Sequence, residues 1–328
     1  MQYTLLVATL LLFLNACSTK EVYEPKKVDA DWEKEQRLEK SIIDTAKDVA
    51  LLDDRRVLAK DGELNVTIAP TERLIALSDG VVVSASVDGN LTLTALNGSK
   101  KEHFVLNKTV AAATVEGGLL AVLFANNEIA LYDRKTHEVL FKEQGGKSIV
   151  NDSRIVNPYF LDDLVIFATL DGKVIIVNSA LKKRLRTIIV SSEEYFNNII
   201  YFNITDNKIV SASSYKLLAM AQRELRQKYE IRNILLQEKR IYLTTKQGEV
   251  VALTTDLQVE KSLKFPFAHF LGMIASKGKL YILEKEGYMI VVDQKTFDYT
   301  VHEVSIDDGF VFVAKDAFYV DDTKIAVE

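Results

Sequence analysis

The chain has 328 residues, 48% hydrophobic and 27% charged, which is enough apolar material for a large core. Its formal net charge of -5 lacks the basic excess that a phosphate backbone attracts, so no nucleic-acid partner is expected. With Cys17 as the only cysteine there is no internal disulfide and no Cys-based metal site.

In chain order, the first feature is an apolar run from Leu5 to Leu14, broken only by Thr9 and followed by Asn15, Ala16 and Cys17. A helix of that length reaches across roughly half of a ~30 Å hydrocarbon core, so residues 1–16 read as a secretory signal peptide rather than a crossing helix. Its n-region has no Lys or Arg, and only the α-amino group is positive. The segment LNAC resembles the bacterial lipobox, which implies that Cys17 is lipidated, with palmitate-type acyl chains, and becomes the first mature residue. Each buried CH₂ contributes ~0.8 kcal/mol, and several chains anchor stably where one does not. The alternative is a plain secreted protein with a stray buried cysteine. Ser18 replaces the Asp that resembles an inner-membrane retention signal, which points to the outer membrane, facing the periplasm. Residues 17–30 are polar, with Pro25, Lys26 and Lys27, and read as a flexible tether. Over 31–47, Leu38, Ile42 and Ala46 recur at helical spacing among charged residues, which predicts a short amphipathic helix lying against the propeller, capped by Trp32 packing on a blade edge.

From residue 48 to 328 the chain repeats one sentence. SASVDGNLTLTALNG, 84–98, is an alternating run, an Asp88-Gly89 turn and a second alternating run: a β-hairpin. Asn126-Asn127, Asp171-Gly172, Gln247-Gly248 and Glu286-Gly287 punctuate similar hairpins, and weaker copies turn near Tyr215 and at Asp321-Asp322. Turn positions 89, 127, 172, 216, 248, 287 and 322 are 38, 45, 44, 32, 39 and 35 residues apart. A repeat of this length, all strand and turn, predicts a β-propeller of four-stranded blades. DVALLDDRRVLAK, 48–60, looks like the terminal DAFYVDDTKIAVE. Pairing Val49–Leu52 and Arg56–Ala59 with Ala317–Val320 and Lys324–Val327 in one composite blade would remove two open edges. On that count the ring has seven blades.

Other stretches are less regular. LKKRLR, 181–186, reads as the solvated face of an outer strand or as a partner-docking patch. Tyr195, Phe196, Asn197 and Asn198 fall where a loop enters a strand, and either pack there or line one mouth of the ring. Phe265-Pro266-Phe267 marks the start of another unit. His103, His137 and His302 recur in outer-strand contexts, and with His269 they form no H-x-H or H-x-x-x-H pair, so no metal site is expected. There is no G-x-S-x-G, P-loop or G-x-G-x-x-G motif. Carboxylates from separate blades could still converge on a central channel.

SASVDGNLTLTAL, ATLDGKVIIVN and TTKQGEVVALT resemble the blade repeats of pyrroloquinoline-quinone-type propellers. With the lipobox, the whole resembles the BamB-like outer-membrane assembly lipoproteins, although those have eight blades. The quinone enzymes of the superfamily carry tryptophans in most blades, whereas residues 48–328 have none, and no cofactor is expected. The resemblance implies a non-catalytic scaffold that binds the β-barrel assembly machinery and nascent outer-membrane proteins. The alternatives are a periplasmic enzyme or small-ligand binder using the central channel, and an envelope adhesion or sensor module.

Overall fold

The computed structural model describes residues 21–328, and these contain strands and turns but no helix. The expected signal peptide (1–16) and the lipidation site Cys17 lie outside the described residues. The strands form eight sheets, seven of four strands and one of five. Seven blades run in order along the chain: 42–67 (blade 1), 72–105 (blade 2), 110–144 (blade 3), 159–189 (blade 4), 199–228 (blade 5), 231–264 (blade 6) and 270–303 (blade 7). Blade 8 combines Val311–Val313, Ala317–Val320 and Thr323–Ala326 with Glu35–Arg37 from the other end of the chain.

The core is divided among the blade interfaces. Val49 and Leu51 pack toward blade 2 with Leu74 and Val82, while Ala50 and Leu52 pack toward blade 8 with Phe312 and Tyr319. A middle strand with a blade on each side must be apolar on both faces, so it reads as a near-continuous hydrophobic run. Outer strands have one wet face and are mostly exposed, as in Lys183–Ile189. Within each blade the hairpins are regular: Val81↔Ala95 to Ala85↔Leu91 closes across the Asp88-Gly89 turn.

Three expectations are corrected. The ring has eight blades, not seven, because Val49–Leu52 and Arg56–Ala59 are the middle strands of a blade of their own, flanked by Ile42–Thr45 and Gly62–Thr67. Closure therefore does not pair two hairpins. The single strand Glu35–Arg37 pairs antiparallel with Thr323–Ile325 at the outer edge of blade 8. The amphipathic helix over 31–47 does not form: Leu38 and Ile42 pack between blades 8 and 1, and Ala46 between blades 1 and 2, from strand Ile42–Thr45 and the connections on either side of it. Trp32 packs beside blade 8 and donates its Nε1 proton to the Ala326 carbonyl at 2.9 Å. Within the segment read as a tether, Tyr23 is buried against the rim.

Candidate functional site

One face of the ring carries both the turns between second and third strands and the linkers between blades. In blades 2 to 7 the residue after the outer strand donates its N–H to the carbonyl of the turn residue, as in Leu106 to Gly89 (2.9 Å) and Phe265 to Gly248 (2.7 Å). Most linkers are short, such as 68–71, 106–109 and 229–230; two are long, 145–158 and 190–198, and they are neighbours around blades 4 and 5. Loops held by a closed scaffold are where a propeller places specificity.

The two long linkers are stitched together. Phe196 donates its N–H to the Val150 carbonyl at 2.8 Å. Asn198, fully buried, donates to the carbonyls of Asp152 and Arg154 (3.1 Å each) and accepts from the Asp152 N–H at 2.7 Å. Asn197 bridges the Asp171 carbonyl (2.9 Å) and the Glu193 N–H (3.0 Å). Of the four positions singled out in the sequence, the two asparagines thus anchor the loops. Tyr195 and Phe196 present exposed rings on the same face, next to Ile149, which is 67% exposed, and Val150.

Inward from this apolar patch lies a charged cluster. The inner strand of most blades carries a β-bulge near its start, and the extra residue is re-aimed. In the other bulges it is Ile43, Ile75, Ala111, Ile200 or Leu271; in blade 6 it is Arg232. Arg154 reaches across to the carbonyls of Ile231 and Arg232 and pairs with Asp152, which also accepts the Ser214 hydroxyl at 2.8 Å. Burial opposes ionisation of Asp152, yet the Arg154 guanidinium, backbone and Ser214 hydrogen bonds outweigh it and hold the carboxyl at about 2. Burial, and then the charge of Arg154, lower the pKa of Arg232. Its Nη2 lies 3.3 Å from His269 Nδ1, and its buried Nε has no hydrogen-bond partner. Two guanidiniums against one carboxylate give this sector a surplus of donors suited to a carboxylate side chain or chain end. Sequence reasoning missed Asp152, Arg154 and Arg232.

The remaining sequence candidates do not join this cluster. His103 and His302 sit on outer strands, and His137 stacks on Phe104 at 4.2 Å before the outer strand of blade 3. The basic stretch 181–186 runs into the exposed outer strand of blade 4. Among the described residues no group of three or more His, Cys, Asp or Glu side chains converges as a metal site. Phe265 is buried in the linker before blade 7, and Phe267 projects from it, 57% exposed.

No protein-family model matches the chain. Its sequence is 32% identical over 221 residues to plasminogen-binding protein PgbB of Helicobacter pylori strain J99, covering 66% of this chain and 41% of the relative. The same protein of strain 26695 is 31% identical over the same shares. The chain therefore spans less than half the length of the curated relatives it matches. Among solved structures it is similar to BamB from Moraxella catarrhalis, at a TM-score of 0.69 and 13% identity over 88% of this chain and 97% of that one. It is also similar to the C-terminal WD40 domain of Sif2, at a TM-score of 0.64 and 13% identity over 92% and 99%. At these identities the likeness is one of fold, and the fold it places the chain in is the closed β-propeller.

Proposed function

We propose that the chain is a non-catalytic, protein-binding propeller of the cell envelope. It is held on the periplasmic side of the outer membrane by lipidated Cys17 and serves as a scaffold in the assembly of β-barrel outer-membrane proteins. The observation that carries the binding role is the 32% identity over 221 residues to a protein named for binding another protein. The BamB-like fold and the lipobox-like LNAC support the assembly role and the location. The stitched linkers 145–158 and 190–198, with exposed Tyr195 and Phe196 beside a donor-rich cluster, form the face that meets the partner.

Affinity capture of the tagged full chain from detergent-solubilised envelopes, at native expression, tests this. Co-purification of the barrel-assembly complex is expected. A second reading, favoured by the same sequence match, is adhesion to a host protein; capture on immobilised plasminogen without the assembly complex would establish it instead. Recovery of a bound small molecule with no protein partner would overturn both. Cys17→Ser is expected to move the protein from the membrane fraction to the soluble envelope fraction, and its persistence in membranes would overturn the anchor.

A further inference from the structure

The first described residues occupy a groove on the rim. Tyr23 is buried between blades 6 and 7, edge-on to Phe265 at 6.0 Å and to Tyr288 at 5.6 Å between ring centroids. Downstream, Ala30–Asp31 adds in parallel to the outer strand of blade 7, with Ala30 opposite His302 and Asp31 opposite Glu303. The fold therefore holds an extended segment of its own by two devices: an aromatic anchor in an inter-blade groove, and strand addition on the adjoining blade edge.

The repeat builds the same groove between blades 4 and 5. Val190 stands where Phe265 stands, each donating its N–H to its blade's turn glycine, Val190 to Gly172 at 2.9 Å and Phe265 to Gly248 at 2.7 Å. Lys216 takes the place of Tyr288 at the start of the third strand, and Lys228, opposite Lys216, takes the place of Glu303. This open groove offers about 410 Å³ between Ile189, Val190, Lys216, Arg226 and Lys228, and no described segment of the chain fills it. The outer strand beside it, Glu224–Lys228, pairs along one edge only. Its charge is the reverse of the occupied seat. Glu284 lies close enough to act on both Tyr23 and Tyr288, and Glu303, Glu24 and Glu286 act on Tyr288. Here three cations face two carboxylates, Glu193 on Lys216 and Glu224 on Arg226, each at 2.9 Å.

We propose that the groove between blades 4 and 5 is a docking site for an extended acidic segment of a partner protein. The segment seats a bulky apolar side chain over Ile189 and Val190 and pairs in parallel with the free edge of Glu224–Lys228. Its carboxylates meet Lys216, Arg226 and Lys228. This rests on the protein-binding reading above and names the place and the chemistry of the partner. The groove opens beside linker 190–198, so it is continuous with the loop face.

The test uses the full chain and a fluorescein-labelled peptide, EEVFEVE, read by anisotropy, with KKVFKVK as its charge-inverted counterpart. The acidic peptide is expected to bind, to weaken as salt rises, and to lose at least tenfold in affinity in Lys228→Glu and in Arg226→Glu/Lys228→Glu. Because Arg226 also donates to the Ile189 carbonyl at 2.7 Å, Ser192→Trp, which fills the groove without touching that bond, is a second variant with the same expected loss. Lys183→Glu, at the other end of the blade 4 outer strand, is expected to change affinity less than twofold. Equal binding of the basic peptide, no binding of the acidic one, or indifference to Lys228→Glu and Ser192→Trp overturns the proposal. So does concentration-dependent dimerisation abolished by the same variants, which would make a second copy the occupant. Capture from envelopes separates the two readings. If wild type captures a protein and Lys228→Glu captures it equally, the docking site fails and the binding role stands. If wild type captures none while the peptide still binds, the groove stands and the role fails.

Discussion

Gly248 is in its turn for two separate reasons. Its φ is +79°, a left-handed conformation that disfavours a side chain, and a Cβ there would stand 2.0 Å from the Phe265 carbonyl oxygen, which crosses above the turn on its way to blade 7. Blade 3 solves the same crossing the other way round: Asn127 sits in the turn at φ 64°, and the residue passing over it is Gly145, whose own Cβ would lie 2.5 Å from Asn127. Gly117 shares a positive φ, +53°, but faces open space. Gly248→Ala is therefore expected to lower stability by more than about 3 kcal/mol, and Gly117→Ala by about 1 kcal/mol, in urea unfolding. Equal costs would mean that the crossing carbonyl yields freely. Asp152 sets a pH dependence at the same scale. Its carboxyl is held at about 2 in the folded chain against an ordinary 3.8, so it contributes stability above pH 4 that is lost as pH falls toward 2. For a carboxylate 16% exposed, the difference corresponds to roughly 2 kcal/mol at neutral pH. The stability gap between wild type and Asp152→Asn is expected to be widest at pH 6 and to shrink by about that amount by pH 2. A gap constant with pH would show that the Asp152–Arg154 pair does not titrate with folding.

At the scale of elements, the hairpins were legible from their turn residues and recurring spacing. The alternation in 84–98 does not separate a buried face from a wet one, since Val81–Ala85 and Leu91–Thr94 are buried on both. Short polar strands were not legible. Glu35–Arg37 has no intrinsic preference for extended backbone, and it is a strand because Thr323–Ile325 offers an edge. Leu38, Ile42 and Ala46 recur every four residues, which is helical spacing. Their burial comes instead from two different blade interfaces: Leu38 follows Glu35–Arg37 and Ile42 opens the next strand at one interface, and Ala46, in the turn after that strand, packs into the other. For the site, the loop residues Tyr195–Asn198 stood out because they interrupt a regular pattern. A further signal was present in the widest turn intervals, 45 and 44 residues, which contain linkers 145–158 and 190–198. Arg232 left no such trace. In sequence it is one charged residue at a strand start, and only the bulge, together with Arg154 arriving from blade 4's linker, makes it part of a cluster.

At the scale of the molecule, the count of blades turns on a symmetry between the chain's two ends. Asp53-Asp54 and Asp321-Asp322 punctuate two similar hairpins, and merging them hides one blade. Because each hairpin heads its own sheet, the ring needs a different clasp, and the structure supplies a single strand from before blade 1. Leu38 N–H meets the Asp322 carbonyl at 2.6 Å, Ala326 N–H meets the Lys34 carbonyl at 2.9 Å, Arg37 pairs with Asp322 at 2.8 Å, and Trp32 caps the Ala326 carbonyl at 2.9 Å. The clasp joins residues almost the whole chain apart, yet loop-closure cost grows only logarithmically with length, so a few bonds and one half-buried ring can hold it. Opening it exposes the edge of blade 8 and strips packing from its interfaces with blades 7 and 1, so closure and folding should be one event. Trp32, the sole tryptophan, sits in the clasp and reports on it. Its emission and the far-UV circular dichroism of the intact chain are expected to melt at one temperature, the mark of a single cooperative unit. Deleting 319–328, which removes the partner of Glu35–Arg37, is expected to abolish that sharp transition. So is deleting 21–40, which removes the strand itself. If Trp32 emission shifts well before the circular dichroism changes, or if either truncated chain melts like the intact one, then the blades hold the ring without the clasp.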